Sequence, residues 1–226
     1  MQLIALLALA LPGCEEDEDP PVPEACPLDG DFCGSSDEPP EIELIQIAYD
    51  GTFTPLHDGD VVPMFTPPQG GKIALIGARI HNMAGCGAIL IGRLRDPTVE
   101  DEPVSVHEGR TVRFTEMDDR PGWGEVRPGP DARTVLAAGS NIPTCQNYED
   151  RDMDDCDWIA DVSVEDREGR QASARARIQL ACPTDDPGRQ DEDEQALCEC
   201  ECAAHYDQRD CNDLSVWQGT PAACEP

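Results

Sequence analysis

The chain has 226 residues, 47 of them acidic and 16 basic, for a formal net charge of -31, and it carries 12 cysteines. That much negative charge repels phosphate backbones, which excludes nucleic acid as a partner. Twelve cysteines are a liability in a reducing compartment and an ordinary disulfide framework in an oxidising one, so composition points to an exported protein.

In chain order, residues 3–11 (LIALLALAL) form an apolar run shorter than the roughly 20 residues a spanning helix needs, and they read as the apolar region of a signal peptide. The run ends in Leu11-Pro12-Gly13-Cys14, which resembles the lipobox of bacterial lipoproteins, with a leucine three places before the cysteine and a small residue directly before it. The resemblance implies removal of residues 1–13, lipid on Cys14, a membrane held through that lipid, and a place in the cell envelope as an outer-membrane lipoprotein facing the periplasm or the cell surface. Residues 14–40 follow as a tether, opening on EEDEDPPVPE, where self-repelling charge and proline stiffness keep a chain extended.

Residues 41–182 have the length of one domain, and their apolar residues recur with the period of strands. Residues 41–48 (EIELIQIA) are the first candidate strand. Residues 72–81 (KIALIGARIH), nearly continuous in apolar and small residues, are expected to be a central one. Residues 88–95 are expected as its antiparallel neighbour across Gly85-Cys86-Gly87, and residues 110–115 and 135–138 are weaker candidates. The clearest pair comes last. Trp158, Ala160, Val162 and Val164 alternate with Ile159, Asp161, Ser163 and Glu165, a turn spans Asp166 to Arg170, and Ala172, Ala174, Ala176, Ile178 and Leu180 alternate with polar residues on the way back. Six or seven short strands without an amphipathic helix of consequence predict an all-β chain, an immunoglobulin-like β-sandwich with a small disulfide-rich C-terminal tail at 183–226.

The segment Phe53-x-Pro55-Leu56-x-Asp58-Gly59-Asp60, followed by Pro67-Pro68-Gln69-Gly70-Gly71 leading into Lys72, is similar to uncharacterised lipoproteins of myxobacteria and related delta-proteobacteria. That resemblance implies an anchored sandwich domain with a cysteine-rich tail. It implies no activity and no ligand.

No catalytic motif accompanies these strands: Gly-x-Ser-x-Gly and His-Glu-x-x-His are missing, and His57, His81, His107 and His205 stand at no metal-ligand spacing from one another. Gln69-Gly70-Gly71 feeds a strand, whereas a phosphate loop feeds a helix N-terminus, so a tight turn is expected there. Arg93, Arg95, Arg175 and Arg177 share one solvent-facing sheet surface, where they either meet an acidic ligand or balance the surrounding carboxylates. The chain is thus expected to be a non-catalytic surface or periplasmic module that binds a protein or a glycan or simply decorates the envelope, with a calcium-dependent version of the same as the alternative and an enzyme of unrecognised type as a distant one.

In the tail, Cys198-x-Cys200-x-Cys202 admits a soft-metal thiolate site or disulfides, and export favours disulfides, with partners among Cys182, Cys211 and Cys224. Of the other five cysteines, Cys26 with Cys33 and Cys145 with Cys156 close short loops, leaving Cys86 as the odd thiol, although spacing does not determine connectivity. Calcium is considered at the loop from Asp150 to Asp157. Asp150, Asp152 and Asp154 alternate like the first ligands of an EF-hand, Asp157 follows, and Asp161 takes the twelfth position. Asp155 stands where that motif needs glycine, and a solvated acidic loop is the expected alternative.

Overall fold

A computed structural model describes residues 32–128, 132–145, 152–183, 194–203 and 211. The elements in order are β1 (Phe32–Cys33), β2 (Glu41–Ile47), β3 (Phe53–Pro55), β4 (Asp60–Phe65), β5 (Lys72–His81), β6 (Met83–Ala84), β7 (Cys86–Asp96), β8 (Val99–Glu116), β9 (Trp123–Val126), α1 (Ala132–Ala137), β10 (Ser140–Thr144), β11 (Asp157–Glu165), β12 (Gln171–Ala181) and α2 (Glu194–Glu201). The chain is an all-β, immunoglobulin-like sandwich with a disulfide-rich C-terminal region.

One sheet centres on β5, with β2 and then β3 on one side and β10 and β9 on the other. The second runs β8, β7, β11, β12, β4. Two strands belong to both sheets. β4 lies parallel to β12 over Asp60 to Pro63 and then turns to pair Met64 and Phe65 with β5. β8 follows β7 as far as Arg113 and then pairs Phe114 to Glu116 with β9. The path β5–β4–β12–β11–β7–β8–β9 therefore returns to β5 and closes on itself, which leaves few unpaired edges to recruit another strand. Bulges between β7 and β8 supply the bend this requires.

The inner faces meet in one core. Ala74, Ile76, Ala78 and Ile80 of β5 face Leu90 and Leu94 of β7 and Trp158, Ala160, Val162 and Val164 of β11, all essentially without solvent contact. The closing hairpin forms in the register its alternation predicts, Trp158 opposite Ile178 and Val164 opposite Ala172. At its turn the buried Asp166 carboxylate accepts N–H groups from Ala84, Glu168 and Arg170 and pairs with the Arg170 guanidinium.

Two expectations are corrected. Residues 88–95 do not neighbour β5: β7 pairs with β8 and β11 in the opposite sheet, because the chain crosses between sheets through β6. Residues 135–137 are helical, since Val135 and Leu136 of α1 cover the outer face of β5 and pack with Ile45, Ile47, Phe65, Ile73 and Leu75. A short apolar run fits a helix turn or a strand equally well, and tertiary packing decides. This second cluster explains the unbroken apolar run of β5, which is buried on both faces.

Candidate functional site

A cavity of about 350 Å³ opens at one end of the sandwich, between the β4–β5 turn, the inward face of β8 and strand β10. Gln69, Gly70, Gly71, Lys72, His107, Arg110 and Asn141 line it, with Pro67, Ile73, Pro143 and Thr144. Among these described residues there is no Asp or Glu, in a chain that has 47 of them.

Each wall has a local cause. Gly70 and Gly71 take φ of 85° and 78°, the left-handed region that a side chain disfavours, and Gly70 donates to the Pro67 carbonyl at 2.9 Å; this is the tight turn into a strand expected from the sequence. Gly92 lets β7 approach β10, for a Cβ there would lie 2.4 Å from Ser140 Oγ. Ser140 is fully buried as a result and sets its Oγ 2.9 Å from His107 Nδ1. Lys72, the only lysine in the chain, is 3% exposed and donates to Thr66 Oγ1 at 2.6 Å.

Arg110 differs from most cations of the molecule. Its Nη1 donates to the Leu136 and Gly139 carbonyls, and among the described residues no carboxylate pairs with it. Burial pulls its guanidinium below the usual value. Asn141 Oδ1, on the facing strand, is buried without a hydrogen-bond donor. Sequence reasoning passed over both residues. A signal existed: Arg110 shares its alternation with Val112 and Phe114, which point inward, while Arg113 does not.

Three of the four arginines of the solvent-facing sheet surface already sit on carboxylates. Arg95 Nε lies 2.7 Å and Arg175 Nη2 3.3 Å from Asp161, Arg177 Nε lies 3.1 Å from Asp157, and Arg93 donates to Ser163 Oγ at 3.0 Å.

Two of the residues considered for calcium belong to these pairs. Asp150 lies outside the described residues. Asp157 and Asp161 are drawn to arginines of neighbouring strands on the outer face of β11, and Asp154 accepts the Cys182 N–H. Asp152 is buried. Among the described residues, no three carboxylates bring their oxygens within 4.8 Å of one another.

The cysteines are corrected in part. Cys145 bonds Cys202 across 57 residues, not Cys156; Cys182 bonds Cys198, and Cys200 bonds Cys211. Cys86 and Cys156 are disulfide-bonded, whereas Cys33 is a buried thiol, so the pairing of Cys26 with Cys33 does not form and Cys86 is not the odd thiol. Cys14, Cys26 and Cys224 lie outside the described residues. Cys182, Cys198 and Cys202 gather their sulfurs within 4.8 Å as a thiolate metal site would, but each sulfur is already half of a bridge. Helix α2 explains the Cys-x-Cys-x-Cys spacing: Cys198 and Cys202 are one turn apart and face the sandwich, while Cys200 points elsewhere, to Cys211.

No protein-family model matches the chain, and comparison with curated proteins finds no match either.

Proposed function

We propose that the protein is an exported lipoprotein, tethered through Cys14 and the acidic segment behind it, whose sandwich works as a binding module at the cell envelope. The observation that carries this reading is the disulfide set. Eight described cysteines are bonded, and the Cys145–Cys202 and Cys182–Cys198 bridges lie side by side under α2, an investment that holds only in an oxidising compartment. The run at residues 3–11 and Leu11-Pro12-Gly13-Cys14 supply the route there.

Expression of the full chain in a Gram-negative host with labelled fatty acid tests it. Label and membrane partitioning are expected in the wild type and lost in Cys14→Ser. Equal labelling in the two proteins would remove the anchor from the reading.

A further inference from the structure

We infer that Cys26 is disulfide-bonded to Cys86 and Cys224 to Cys156, so that the segment behind the anchor is stapled to one end of the sandwich and Cys14 is the cysteine this framework leaves for another use.

Of the 12 cysteines, six form the bridges Cys145–Cys202, Cys182–Cys198 and Cys200–Cys211, and Cys33 is a buried thiol. Cys86 and Cys156 are bonded as well. They do not bond each other. β11 runs antiparallel to β7 with Glu165 opposite Ile89 and Ile159 opposite Arg95, so Cys86 opens β7 at one end of the sheet and Cys156 stands beyond the other. The rise between those ends exceeds roughly 30 Å, against a Cα separation of about 6 Å across a bridge. Each therefore takes its partner from Cys14, Cys26 and Cys224, and one of the three is left over.

Reach decides among them. β1 pairs with β6 in the register Phe32 opposite Ala84, which brings the chain into the sandwich beside Cys86. The stretch from Cys26 to Phe32 spans at most roughly 20 Å, enough for Cys86 and too little for Cys156. Cys224 follows Cys211, which is bonded to Cys200 of α2, and the end of α2 is held by Met153 close before Cys156. Cys14 would close a longer loop onto Cys86 than Cys26 does, at a higher entropic cost. Its exclusion rests also on the lipid reading proposed above, in which its sulfur is a thioether. Each new bridge forms as two thiols give up two protons and two electrons to a disulfide-bearing oxidant of the exporting compartment, which leaves as a dithiol.

The leash between lipid and sandwich then spans residues 15–25, and the His81–Cys86 end of the molecule faces the membrane. The cavity at Lys72, at the opposite end of β5, faces outward.

Non-reducing digestion and mass spectrometry of the full chain, wild type and Cys14→Ser, with thiols blocked first, tests the pairing. Peptides joining Cys26 to Cys86 and Cys156 to Cys224 are expected in both proteins. A protease site placed between Cys26 and Phe32 of the lipid-bearing chain should, once cut, release the sandwich from membranes only after a dithiol reductant is added. A peptide joining Cys14 to Cys86 or to Cys156 overturns the pairing and the anchor together. A Cys26 or Cys224 thiol that alkylates in unreduced protein, or release on cutting without reductant, overturns the pairing and leaves the anchor standing. The expected peptides with no lipid on Cys14 support the pairing and remove the anchor.

Discussion

At the residue scale, Gly92 has the least freedom of the positions that shape the cavity. A Cβ there would meet Ser140 Oγ at 2.4 Å, Ser140 Cβ at 2.6 Å and Ile142 Cγ1 at 2.9 Å, none of them the loose end of a long side chain. Both Ser140 and Ile142 are fully buried, so β10 would have to move away from β7. Gly92→Ala is expected to cost about 1–3 kcal/mol, as overpacking of a filled core does, read as a drop in the denaturant midpoint at unchanged slope. Retention of wild-type stability would mean that β7 and β10 are not in close contact. Asp166 carries the opposite lesson. Burial by itself pushes its carboxyl up, yet the N–H groups of Ala84, Arg170 and Glu168 and the Arg170 charge outweigh that and hold it below the usual carboxylate range.

At the element scale, α2 is an eight-residue helix without basic residues in its last turn, too short to persist alone, and it is held by bridges instead. The Met153 N–H donates to the Cys202 carbonyl at 2.8 Å, which ties the helix end to the segment before β11. Cys145–Cys202 closes 57 residues, and chain entropy assigns such a loop about 4 kcal/mol. The double variant Cys145→Ser/Cys202→Ser is therefore expected to lose about 2–4 kcal/mol and to expose α2 to proteolysis. Peptide mapping of non-reduced protein should recover Cys145 joined to Cys202, Cys182 to Cys198 and Cys200 to Cys211; a Cys145–Cys156 peptide would show that the tail is not stapled to the sandwich. The β11–β12 hairpin, by contrast, was legible in sequence from Trp158 to Leu180, because a two-residue period is a local property that survives into the fold.

At the scale of the whole molecule, stability depends on pH through two opposed groups beside the net charge of -31. Burial pushes the Asp154 carboxyl up to about 6; the Cys182 N–H opposes this and the charges of Asp155 and Glu199 add to it. Folded protein therefore holds that proton more tightly than unfolded chain, whose value is about 3.9. The contribution is fully present below about pH 4 and is lost as pH rises through 6. Asp166, held low, contributes above its ordinary value and is lost as pH falls through its folded one. Thermal melts should thus show stability rising as pH falls from 7 to about 5 and declining again under stronger acid. Asp154→Asn, which can still accept the Cys182 N–H, should flatten the rise between pH 7 and 5; an unchanged rise would assign it to relief of overall charge repulsion instead.

The sequence by itself determined the all-β class, the strands at 41–48 and 72–81, the final hairpin and the turn at Gly70-Gly71, because each rests on alternation or backbone freedom within a few residues. Only the tertiary structure decided that β5 and β7 belong to opposite sheets, that residues 135–137 are helical, that Cys145 reaches Cys202, and that Arg110 and Asn141 line one cavity. These are questions of which distant segments meet when the two sheets close on each other. Partner choice across that closure is set by the packing of both faces of β5 and by the handover of β4 and β8 between sheets, and no spacing along the chain encodes it.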